Sequence, residues 1–254
     1  MANAKFWSLT VKSKFVSSEF VRSEFVRPEF VRSKLHGLVN CKRALQALLL
    51  TTSLQVCAGG LESLELFLKT AHSGRAIFSQ VVTPPVKAGQ TARSKKSSGV
   101  FVFIRPTRFR FDYQKPYPLT LVADGTMLWW YDVDLAQVTA RSQAQALSSS
   151  PAALIATASD LASLQKEFHL QEQSEADGLQ WVQATPKIRE STVQSVRIGL
   201  RVEGGVANLE KLDILDAMGQ RSVISFEYFE ANPKNLYPSQ FVFVPPKGVD
   251  VVKQ

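Results

Sequence analysis

The chain has 254 residues, enough for one large domain or two small ones. Hydrophobic residues make up 45% of it and charged residues 20%, a balance ordinary for a globular protein. The net charge of +8 is unevenly spread. Residues 1–58 hold nine Lys/Arg against three Glu, whereas residues 59–254 hold twenty-one Lys/Arg against nineteen Asp/Glu. The larger part is therefore close to neutral, which argues against a nucleic-acid partner. Both cysteines, Cys41 and Cys57, lie before residue 59, and only His72 and His169 follow it. A disulfide framework, a His/Cys metal site and a thiol nucleophile are thus all unexpected beyond that point, and no cofactor is implied.

Residues 13–32 repeat with a period of five, SKFVS-SEFVR-SEFVR-PEFVR. Five residues turn a helix by about 500°, so the Phe-Val pairs would wander around its surface. In a strand the same period flips faces at every repeat. Neither element gains a buried side, and residues 1–34 read as a non-globular extension whose true translation start is expected downstream. Residues 35–58 read as a secretory signal: Lys42-Arg43, the short apolar run ALQALLLTTSLQV, then a small-residue exit with cleavage after Ala58. That run is too short to span a hydrocarbon core of roughly 30 Å. Leu54-Gln55-Val56-Cys57 faintly resembles a lipoprotein processing site, although Val56 is larger than such sites prefer. Residues 59–254 form the predicted domain.

That domain opens with Leu61, Leu64 and Leu68 at helical spacing, followed by a strand through Ile77-Phe78. Val81–Ser98, with Pro84-Pro85, Gly89 and the basic Arg93, Lys95 and Lys96, reads as a loop. Alternating runs then predict strands at Gly99–Arg105, Arg108–Tyr113, Leu119–Ala123, Met127–Asp132 and Val133–Ala140, with a turn at Asp124-Gly125. Pro151–Leu164 reads as a short helix or pair of helices. Five more strands follow, at Phe168–Gln173, Leu179–Thr185, Val193–Val202, Leu209–Leu215 and Ser222–Glu230, and Phe241–Val244 closes the chain before Pro245-Pro246. No helix between the strands is long enough for a parallel crossover. The fold class is mainly β (α+β), one strongly curved antiparallel sheet with a few helices.

Phe101, Phe103, Phe109, Phe111, Tyr113, Trp129 and Tyr131 are expected on the concave side of that sheet. Each offers roughly 150–250 Å² to bury. They either fill a β core or line a hollow, and two details favour the hollow. Arg105 falls on the aromatic face, where an unpaired charge is costly. The segment around Leu154 and Ile155 is rich in Ala and Ser, a thin cover rather than a plug.

The ordered succession FIRPTRFRFDYQKPYPLTLVADGTMLWWYDVDLAQVT, residues 103–139, resembles the outer-membrane lipoprotein carrier proteins of the LolA family, as does the ending PPKGVDV. The resemblance implies an unclosed antiparallel barrel around an apolar cavity, with helices as its lid. It implies a monomeric periplasmic shuttle that shields lipoprotein acyl chains. Such carriers take cargo from the inner-membrane ABC transporter LolCDE and pass it to the outer-membrane receptor LolB. Arg105 corresponds to the arginine that holds the lid shut, Phe109 to a cavity-lining phenylalanine, and Leu154 and Ile155 to the lid. A LolB-like anchored receptor, lipidated at Cys57, and a periplasmic module for another amphiphilic lipid are the rival readings. An enzyme is disfavoured: Asp124 belongs to its turn, and Asp132 and Asp134 have no nucleophile-base pair beside them in sequence.

Overall fold

The computed structural model describes residues 59–85, 93–144, 158–189 and 191–253. The repeat, the signal segment, Cys57 and the lid residues Leu154 and Ile155 lie outside them. The domain opens with helix α1, Gly60–Thr70. Its Leu64, Phe67 and Leu68 form one buried stripe at helical spacing. Gly60 is required by a close approach, because a Cβ there would stand 2.3 Å from the Trp181 carbonyl oxygen.

Eleven strands follow, paired antiparallel with their sheet neighbours among them: β1 Ser73–Thr83, β2 Lys95–Ile104, β3 Arg108–Lys115, β4 Leu119–Ala123, β5 Met127–Asp132, β6 Gln137–Ser142, β7 Phe168–Ala176, β8 Leu179–Pro186, β9 Val193–Glu203, β10 Val206–Asp216 and β11 Arg221–Ala231. A twelfth, β12 (Asp250–Lys253), pairs parallel with β6. Helix α2, Leu161–Glu167, precedes β7, and Asp160 caps it by accepting from the Ser163 N–H at 2.7 Å. The strand order is β12-β6-β5-β4-β3-β2-β1-β11-β10-β9-β8-β7. The sheet is thus a single unclosed, curved wall with β12 and β7 as its free edges, and α1 packs across β7–β10 on its inner side.

Three expectations about the elements change. Val81–Ser98 is not all loop: β1 continues to Thr83 and β2 begins at Lys95, with Gln80 opposite Ser97 and Val82 opposite Lys95. Ladder bonds come from the backbone, so polar side chains at the sheet's end do not prevent pairing. The strand expected to start at Val133 begins at Gln137, because a tight turn with Ala136 at φ 47° intervenes. Phe241–Val244 is not a strand. A 3₁₀ turn at Pro238–Phe241 instead lays the C-terminal segment over the outer face, where Phe241 is buried against Val102 and Val122.

Candidate functional site

The inner face is set by register. Cα partners run Ala76, Phe101, Phe111, Leu121 and Trp130 across β1–β5 in one row, and Gly74, Phe103, Phe109, Ala123 and Leu128 in the next. Because side chains alternate between faces, every residue in these rows points to the same side. Phe101, Phe103, Phe109 and Phe111 are buried there together with Phe67, Phe78 and Phe226. Phe101 lies 4.3 Å from Phe111 and 5.3 Å from Phe226, centroid to centroid, and Phe78 meets Phe111 edge-on at 5.3 Å. Gly74 makes room for this wall, since a Cβ there would stand 2.4 Å from the Phe103 ring.

Toward one end the wall turns polar. The Tyr113 hydroxyl donates to Gln80 Oε1 at 3.0 Å, and Gln80 Nε2 donates to the Ser222 hydroxyl at 2.7 Å. Burial pushes the Tyr113 phenol up to about 12, so it remains a neutral donor. Beside this network a cavity of about 370 Å³ is bounded by Tyr117, Leu119, Trp130 and Asp132.

Arg105 closes the other end. It follows β2 directly, and its own N–H donates to the His72 carbonyl at 2.8 Å. Its Nε donates at 2.8 Å to the carbonyl of Ala71, the C-cap of α1. Its Nη1 donates to the carbonyl of Ala158, where the chain enters α2. The guanidinium rests 5.1 Å from the centroids of both Phe67 and Phe103. A cation at a helix C-terminus and over two ring faces is favourably placed. Burial lowers its pKa to about 10, which leaves it charged at neutral pH.

The chain matches the family "Outer membrane lipoprotein carrier protein LolA" over residues 69–244. It is 56% identical over 197 residues to the outer-membrane lipoprotein carrier protein of Albidiferax ferrireducens, covering 78% of this chain and 92% of that one. Identity to the carriers of Leptothrix cholodnii and Methylibium petroleiphilum is 46% and 44%, each over 78% of this chain and 87% and 91% of theirs. The chain belongs to the LolA family.

Within this LolA-family domain, Phe101, Phe103, Phe109, Phe111 and Tyr113 share one wall, and Arg105 sits at its edge. Trp129 and Tyr131 do not join them. The β4–β5 turn pairs Ala123 with Leu128 and Val122 with Trp129, so odd-numbered residues of β4 meet even-numbered residues of β5. Trp129 therefore emerges on the outer face, 5.5 Å from Phe243, and Tyr131 lies 5.9 Å from the same ring. The Trp129 indole donates to Asp124 Oδ2 at 2.8 Å. The inner position belongs to Trp130, which sequence reading passed over although it stands in the same alternating run. Phe67, Phe78 and Phe226 were also missed as wall residues. Phe226 carried a readable signal, the alternation Ser222, Ile224, Phe226 opposite Val82, Gln80 and Phe78.

Proposed function

We propose that this LolA-family chain is a periplasmic carrier that lays lipoprotein acyl chains against the Phe101–Phe111 wall and releases them on demand. LolCDE in the inner membrane loads it, and LolB in the outer membrane unloads it. The observation that carries this reading is the bridge from Arg105 to the carbonyls of Ala71 and Ala158, made over the rings of Phe67 and Phe103. One side chain joins the end of α1 to the chain entering α2, directly above an apolar wall.

Each buried CH₂ contributes about 0.8 kcal/mol. Several long acyl chains would therefore bind too tightly to leave an always-open wall. Each charge-assisted hydrogen bond broken on opening costs roughly 1.5–3 kcal/mol. Cargo affinity falls by the cost of reaching the open state. Hand-over to a receptor with a slightly more favourable cavity then needs no nucleotide on the carrier. The role is binding rather than catalysis: the Asp124 carboxylate is occupied by the N–H groups of Thr126, Met127 and Trp129.

The test is Arg105→Leu, assayed for transfer of a loaded lipoprotein to receptor-bearing membranes. The variant folds and loads, but its release slows at least about tenfold, the equivalent of one lost charge-assisted bond. Delivery at the normal rate by a folded Arg105→Leu protein would remove the gating role.

A further inference from the structure

We infer that the Tyr117–Trp130 end of the wall is a docking surface for an anionic phospholipid bilayer. The row of side chains from Phe101 through Phe111 and Leu121 reaches Trp130, before Thr139 and Val252 complete it, so the apolar inner face continues outward to a ring that is 47% exposed. Tyr117, 70% exposed, stands on the same cavity between Pro116 and Pro118. Tyr and Trp are the side chains that settle at headgroup depth, with an apolar ring and a polar tip.

Basic residues lie along the β2–β3 side of this cavity. Lys115 immediately precedes Pro116, and its register partner Ser98 adjoins Ser97 on the cavity wall. Lys95 lies two residues from Ser97 on the same strand and hence on the same face; Lys96 takes the opposite face, and Arg93 extends the run. The Thr83 and Ser94 hydroxyls, 2.8 Å apart, tie the two arms of this hairpin together. Arg93, Lys95, Lys96 and Lys115 are all exposed, and none makes an ion pair among the described residues. The carboxylate on the cavity wall, Asp132, accepts from the Leu135 N–H at 3.0 Å. Arg221, at the start of β11, is paired with Asp213, which it shares with Arg197.

Unpaired lysines beside exposed Tyr and Trp fit phosphate headgroups above an acyl layer better than they fit an acidic protein. They also place the bilayer edge against the row of side chains that runs inward to Phe101. Because residues 59–254 as a whole are close to neutral, the attraction remains weak enough to reverse.

Vesicle flotation of the purified chain tests the surface without any lipoprotein, so its result is independent of the cargo reading. One vesicle set is phosphatidylcholine alone; the other contains about one third phosphatidylglycerol. Binding is expected only to the anionic set, falling roughly fivefold for each lysine removed and vanishing at about 0.5 M salt. The triple variant Lys95→Glu, Lys96→Glu, Lys115→Glu loses it. Bromine-labelled anionic lipid quenches tryptophan emission in the native chain and much less in Trp130→Phe. Equal binding to both vesicle sets, or full binding by the triple variant, overturns the inference. So does a native chain that ignores vesicles while the triple variant fails in transfer to the receptor, which would make the patch a reader of acidic protein.

Discussion

The two faces of the β2–β5 region are built from similar residues and covered in different ways. Inside, Phe101, Phe103, Phe109 and Phe111 are covered by other rings and by α1, and α1 is linked to the chain entering α2 through Arg105. Outside, Val102, Val122 and Trp129 are covered by the C-terminal segment, with Phe241 fully buried and Phe243 packed beside it. Arg110 reinforces that outer cover by donating to the Gln240 carbonyl at 3.4 Å. Aromatic content alone therefore does not distinguish the two faces. What distinguishes the inner face is that its cover, besides the apolar packing of Leu64, Phe67 and Leu68, carries hydrogen bonds from a half-buried cation to two separate segments.

The largest test of this contrast compares Phe103→Ala with Phe241→Ala. Both rings are fully buried, so each substitution should cost about 3–5 kcal/mol in denaturant unfolding. Only Phe103→Ala should change acyl-chain affinity. If Phe241→Ala weakens cargo binding equally, the two faces are not functionally separate. Next in size, Gly74→Ala pushes a methyl toward the Phe103 ring and should cost about 1–3 kcal/mol through overpacking. An unchanged melting temperature would mean that the wall yields more easily than its spacing implies.

Trp129→Phe sharpens the outer side of the comparison. It keeps an aromatic ring near Phe243 but removes the donor to Asp124, an expected loss of about 1 kcal/mol with cargo affinity unchanged. The smallest effect is in acid. Burial by itself would raise the Asp124 carboxyl, but donation from the Met127 N–H, the Trp129 indole and the Thr126 N–H outweighs it and holds the pKa below the usual carboxylate value. Because the folded pKa is depressed, the resulting stability is present above the unfolded value of about 4 and lost as pH falls through the folded one. Acid titration of Asp124→Asn should show a shallower loss of stability than the native chain over that window. Coincident curves would mean that the turn is indifferent to the charge.

The alternation of Phe101-Phe103 and Phe109-Phe111-Tyr113 was legible because a strand's period is two and needs no partner to be seen. The Asp124-Gly125 turn was legible because Gly125 adopts φ 108°, a conformation open to glycine at little cost. Trp129 and Tyr131 were legible as sharing a face but not as to which face. Alternation fixes relative orientation within one strand, while the turn's register fixes the orientation between strands.

Sequence by itself determined a β-rich domain, its alternating strands and the singular position of Arg105 beside the aromatic run. Tertiary structure alone decided that Trp130 rather than Trp129 continues the wall, and that Phe241 and Phe243 seal the opposite face. It also decided which carbonyls, those of Ala71 and Ala158, receive the guanidinium. The physical reason is the same in each case. Periodicity is a local property of the chain, but faces, covers and hydrogen-bond partners are set by segments tens of residues apart.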